Sequence, residues 1–159
     1  MFEGEYLNEK KWSGKGYNKN GILELEIKNG NGKGKEYNNY GILKFEGEYL
    51  NGKRNGNIKE YYNNGKLEFE GEYLNGERNG KVKEYYDDDK LKFEGEYLNG
   101  ERNGKGKEYN FNGELEFEGE YLNGERWNGK GNISIFQDNG LLITLEGEYL
   151  NGEMWTEKK

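Results

Sequence analysis

The chain contains no cysteine, proline or histidine, and no alanine. Without cysteine there are no disulfides, no thiolate metal ligands and no cysteine nucleophile. Without histidine the commonest general base and the commonest metal ligand are both missing. Ser13, Ser134, Thr144 and Thr156 supply the only aliphatic hydroxyls, and no obvious base stands ready to activate them. Catalytic residues, a metal and a cofactor are therefore not expected. Apolar residues make up only 31% of the chain, against about 45–50% in ordinary globular domains, so a deep core is not expected. No apolar run approaches the ~18 residues of a membrane-spanning helix. Residues 1–10 are acidic and lack an apolar run, so no secretory signal is read. The expected location is cytoplasmic, with peripheral membrane association as the alternative. A net charge of −7 disfavours nucleic acid and anionic lipid as partners.

What the chain does contain is repetition. Phe69-Glu-Gly-Glu-Tyr-Leu-Asn-Gly-Glu-Arg78 returns in nearly the same words from Phe45, Phe93 and Phe117, 24 residues apart each time. Shorter echoes stand at Phe2–Tyr6 and Leu145–Tyr149. A fixed period of this length signals an array of small units, each leaning on its neighbours. The units read as 2–24, 25–44, 45–68, 69–92, 93–116 and 117–144, with a terminal half-unit at 145–159.

Within a unit, Leu67, Phe69, Gly71 and Tyr73 alternate with Glu68, Glu70 and Glu72, the pattern of a half-buried β-strand. No apolar i, i+3, i+4 stripe persists, and Gly recurs too often for a helix. Asn75–Gly80 holds two Asn-Gly pairs and reads as a six-residue loop. Lys81–Tyr86 reads as a second, weaker strand, and Asn63-Asn64-Gly65 as a tight turn into the next unit. Consecutive hairpins add up to one antiparallel meander of about thirteen strands with no helices. Glycine weakens a strand interior. At Gly4, Gly47, Gly71, Gly95, Gly119 and Gly147 the expectation is an aromatic ring from a neighbouring strand lying over the backbone, with a β-bulge as the alternative.

Two units are irregular. Between Leu23 and Tyr37 about four residues are missing, which predicts a shortened hairpin. Near the other end Trp127 is inserted, and Ile133, Ile135, Phe136, Leu141, Leu142 and Ile143 form the most apolar stretch. Trp12 occupies the equivalent loop of the first unit. Trp12 and Trp127 therefore read as caps of the terminal units or as partner contacts.

Phe93-Glu-Gly-Glu-Tyr-Leu-Asn-Gly-Glu-Arg-Asn-Gly-Lys-Gly106 resembles the MORN repeat. Lys59-Glu60-Tyr61-Tyr62-Asn63-Asn64-Gly65-Lys66-Leu67 resembles the MORN variant common in bacterial proteins. The resemblance covers essentially the whole chain. It implies a single-layered, twisted β-hairpin array acting as a scaffold or protein-binding platform. Some relatives are linked to phosphoinositide-rich membranes, and some bacterial ones to antitoxin or immunity roles. The sequence departs from the family pattern where Glu60, Glu84 and Glu108 replace an aromatic, which predicts a thinner ring stack on the second strand.

Other motifs have plainer readings. The pairs Glu46/Glu48, Glu70/Glu72, Glu94/Glu96 and Glu118/Glu120 read as a solvated sheet face rather than a glycosidase pair, which needs two carboxylates in different environments. Asp87-Asp88-Asp89 replaces the Asn-Asn-Gly turn of the previous unit and reads as a turn rather than a calcium loop. Gly124–Gly131 mimics a phosphate loop but places Gly131 at its Ser/Thr position.

Surface is what remains for function. A single sheet leaves its Phe, Tyr and Leu face either shielded by its own curvature or used for binding. The expected mechanism is capture of an extended peptide or partner protein in that groove. Tyr61, Tyr85 and Tyr109 are candidate contacts, with Arg54, Arg78, Arg102 and Arg126 in the loops lining one rim. Self-association through the outermost strands is a rival, guarded only by Lys158 and Lys159.

Overall fold

A computed structural model describes residues 2–136 and 142–155. Over these residues the chain forms fourteen antiparallel strands in one open sheet, each hydrogen-bonded to the next in chain order. They are β1 (Phe2–Leu7), β2 (Lys10–Tyr17), β3 (Leu23–Lys28), β4 (Asn31–Tyr37), β5 (Leu43–Leu50), β6 (Lys53–Tyr61) and β7 (Leu67–Leu74), followed by β8 (Glu77–Tyr85), β9 (Leu91–Leu98), β10 (Glu101–Tyr109), β11 (Leu115–Leu122), β12 (Glu125–Phe136), β13 (Leu142–Leu150) and β14 (Glu153–Trp155). There is no helix among the described residues. The count is fourteen rather than about thirteen because Glu153–Trp155 pairs with β13 as a last short strand. Leu141, Lys158 and Lys159 lie outside the described residues. Ile133, Ile135 and Phe136 pair in backbone register with Leu145, Ile143 and Leu142.

The turns follow from residue chemistry. Asn75 and Gly76 both take positive φ, 54° and 94°, the signature of a two-residue type I′ hairpin, whose twist suits the flanking strands. The expected six-residue loop is therefore only two residues long, and β8 begins at Glu77. The second pair, Asn79-Gly80, lies inside β8, where the pairing with β7 shifts register and Gly80 has φ 68°. It is a bulge, not a reversal. Successive turns also join each other. The N–H groups of Gly76, Gly100 and Gly124 donate to the carbonyls of Arg54, Arg78 and Arg102, all at 2.9 Å.

The opposite turns are tight, as expected. Tyr62 N–H donates to the Lys66 carbonyl at 2.9 Å, and Tyr86 N–H to that of Lys90 at 2.8 Å. Asp87–Asp89 forms this turn, with Asp89 at φ 70°. The early hairpin is shortened as expected, with strands of 6 and 7 residues against 8 and 9 in the next.

The core is one side chain thick. Phe45, Phe69, Phe93 and Phe117 are fully buried although no second layer covers them. Phe93 shows how. Tyr97 approaches it edge-on at 6.0 Å, Tyr121 of the next unit at 5.3 Å, and the Arg102 guanidinium lies 4.1 Å above its ring. The ring also lies over glycine. A Cβ on Gly95 would sit 2.6 Å from Phe93 Cζ and 2.7 Å from the Gly106 Cα. The covering ring thus comes from two residues back in the same strand, not from a neighbouring strand. At Gly71 it is replaced by Val82, and Gly4 meets only backbone atoms within the closest contacts.

Candidate functional site

Cross-strand register sorts the side chains into two faces. On the aromatic face, Phe69 lies opposite Glu60 on one side and Glu84 on the other. Tyr73 lies opposite Arg78, and Tyr97 opposite Arg102. The glutamates that replace the family's aromatic therefore sit among the rings, where each collects donors. Glu60 accepts from Arg54 at 2.5 Å, Arg78 at 2.9 Å and the Tyr73 hydroxyl at 3.0 Å. Glu108 accepts from Arg102 at 2.9 Å, Arg126 at 2.7 Å and Tyr121 at 3.2 Å. Glu84 accepts from Tyr97 and from Arg102 at 3.3 Å. The earlier Glu36 is served by Lys11 and Tyr49.

The result is an Arg–Glu–Tyr ladder packed on the phenylalanine row in two runs, Arg54–Glu60–Arg78 and Glu84–Arg102–Glu108–Arg126. Charge-assisted bonds and stacked guanidinium groups are the stronger members of their classes. Among the described residues no buried side-chain polar atom lacks a hydrogen-bond partner. Burial alone would raise the Glu108 carboxyl, but the bonds from Arg102 and Arg126 outweigh it and hold the group below its ordinary range. For Arg102 burial works against the charge, yet Glu84 and Glu108 hold it more firmly protonated than usual.

These positions correct the expected site. Arg54, Arg78, Arg102 and Arg126 lie in β6, β8, β10 and β12, not in loops. They are half-buried and engaged within the chain, so they do not form an open rim. The aromatic face is shielded by its own side chains rather than left as a groove. Sequence reading misplaced the arginines because it treats Arg as surface. The available signal was a fixed offset, with Glu six residues after Arg54, Arg78 and Arg102, and Tyr thirteen after each of those Glu residues.

Tyr61, Tyr85 and Tyr109 belong to the other, charged face. Their hydroxyls donate to Glu46 at 3.3 Å, Glu70 at 2.7 Å and Glu94 at 3.0 Å. They brace one carboxylate per unit. Trp12 and Trp127 lie in β2 and β12, and their carbonyls accept from the turn glycines Gly30 and Gly152 at 2.6 and 2.9 Å. Their rings rest against the same glycines, tying each terminal hairpin to its neighbour.

An open concavity lies on the charged face. Two stretches of groove, of about 580 and 790 Å³, share Lys81, Val82 and Lys83 and so form one trough from β3 to β11. The floor follows the line of Gly34, Gly47, Ile58, Gly71, Val82, Gly95, Gly106 and Gly119. Ile58 and Val82 are buried. Residues on either side of that line build the walls. One wall runs Lys35, Glu46, Lys59, Glu70, Lys83, Glu94, Lys107, Glu118, each directly opposite the next. The ion pairs along it are loose at 4.0 Å for Lys35–Glu46 and Lys59–Glu70, and closer at 3.1 Å for Lys107–Glu118. Their side chains are 35% to 55% exposed. Such pairs contribute little to stability. They leave methylene stems lining the trough and charged tips at its rim.

Among the described residues no cluster of acidic side chains could hold a metal, and no helix is long and apolar enough to cross a membrane. Residues 54–75, 78–99 and 102–123 each match the family model of the MORN repeat variant. No curated protein matches the chain. Repeats of this family point to a binding or scaffolding role and are generally non-catalytic.

Proposed function

Because residues 54–123 carry three consecutive MORN-variant repeats, we propose that the protein is a non-catalytic interaction platform whose charged trough receives an extended segment of a partner protein. The observation that carries this reading is the contrast between the faces. Every arginine of the repeats is engaged on the aromatic face, while the trough across β3–β11 is open and lined by solvent-exposed charges. Shape and fixed charge at that surface give specificity for a segment of complementary pattern. Alternating signs along the walls do not make the basic cluster that anionic lipid requires.

Affinity capture from the source lysate tests the reading. Wild type is compared with a Lys59→Glu, Lys83→Glu, Lys107→Glu variant that keeps its strand-type circular dichroism. A protein held by wild type and lost by the variant supports the trough as the site. A toxin retained in this way would give the platform an immunity role. Equal capture by both proteins removes the trough from the account.

A further inference from the structure

The walls carry more information than their net charge. Glu residues stand on odd strands and Lys residues on even strands, on both sides of the floor except at β6, where Asn57 faces Lys59 across Ile58. Lys81 and Lys83 flank Val82 on β8, and Glu94 and Glu96 flank Gly95 on β9. Register places Lys83 opposite Glu94 and Lys81 opposite Glu96. A segment lying along the trough therefore crosses bands of positive and negative charge in strict alternation. Neighbouring strands lie about 4.8 Å apart, so like bands recur every ~9.6 Å.

That spacing discriminates among backbone conformations. A polyproline II segment rises about 3.1 Å per residue with three residues per turn, so residues i and i+3 stand on one side about 9.3 Å apart. A fully extended strand covers about 10 Å in three residues. It turns i and i+3 to opposite walls, but both walls carry the same sign on each strand except β6, where Asn57 is neutral. In an α-helix, ~9.6 Å corresponds to about 6.4 residues, which returns to no constant face. Over four bands a heptad spacing of about 10.5 Å drifts by roughly 3.6 Å, whereas polyproline II drifts by roughly 1.2 Å.

We infer that the trough selects an extended protein segment in which one basic and one acidic residue recur at every third position, the third residue being small or proline. The inference rests on the trough being the binding site. From β3 to β11 the trough spans about 38 Å, room for about twelve residues, or four such triplets. The basic residue of each triplet sits over a glutamate band, the acidic one over a lysine band, and the third meets the glycine-rich floor. Proline suits that place because it presets the extended backbone and lowers the ordering cost.

The test uses a labelled peptide of four Lys-Glu-Pro triplets and a scrambled peptide of the same composition with no period of three. Binding is read by fluorescence anisotropy at low salt. The triplet peptide is expected to bind at least about tenfold more tightly, and to lose that advantage on the Lys83→Glu, Lys107→Glu variant. A Lys83→Met, Lys107→Met variant, which keeps the stems, should lose it in part. Equal affinity for both peptides, or binding of neither, overturns the inference. The platform reading is judged separately, by whether the charge variant loses its captured protein.

Discussion

Glutamate has two opposite fates in this sheet. Glu84 and Glu94 lie on adjacent strands. Glu84 is buried among the rings and accepts from Tyr97 and Arg102. Glu94 takes one bond from Tyr109 on the opposite face and helps to line the trough. The difference is one of parity. A one-residue step along a strand exchanges the faces, so the same side chain becomes a structural anion or a surface charge. A single-layered array can thus keep a core and a binding surface back to back. It does so by satisfying the core side with arginine, which supplies ring stacking and carboxylate pairing together.

Phe93→Ala should break the comparison most severely. It removes the ring over Gly95 and Gly106 and opens a void beneath Arg102, a loss of about 3–5 kcal/mol by urea unfolding. Gly95→Ala should follow, because its Cβ would press on the Phe93 ring and the Gly106 Cα. About 1–3 kcal/mol is expected from such overpacking. Glu9→Gly should act in the other direction. Glu9 occupies a left-handed turn position, φ 65°, where the other described hairpins of this type have glycine, and relief of about 1 kcal/mol should appear as a raised thermal midpoint. Lys83→Gln, on the charged face, should change stability by no more than about 0.5 kcal/mol.

The tyrosines bind the fold to pH. Burial, then the hydrogen bond to Glu70, pushes Tyr85 up to about 12, and burial with the Glu24 bond does the same to Tyr37. An unfolded tyrosine ionises near 10. The folded state therefore favours the neutral phenol, and this contribution is complete below about pH 10 and lost as pH rises through about 12. Melting followed by circular dichroism should show the midpoint falling across that window. On the acid side, Glu108 is held below its ordinary value, so its contribution is present above pH 4.5 and declines below it. The Tyr85→Phe variant should show a smaller alkaline decline than wild type.

The strands, tight turns and short early hairpin were legible in the residues, because alternation and Asn-Gly pairs report local backbone directly. Asn75-Gly76 and Asn79-Gly80 show where that ends. The same dipeptide makes a reversal in one place and a bulge in the other, and only pairing across strands distinguishes them. The arginines illustrate a second limit, since Arg102 becomes part of a core only once register brings Phe93, Glu84 and Glu108 around it. The trough was hidden for a similar reason. Its walls run across the strands, so neighbours such as Lys83 and Glu94 are adjacent in space but not in sequence.

The most direct measurement is the urea unfolding of Glu84→Gln beside Glu94→Gln. Each substitution removes one charge and keeps the shape, from adjacent strands on opposite faces. The account predicts that Glu84→Gln loses about 1.5–3 kcal/mol, as expected when a buried charged acceptor is neutralised, while Glu94→Gln stays within about 0.5 kcal/mol of wild type. Equal losses, or the larger loss at Glu94, would contradict the division of the sheet into a structural face and a binding face.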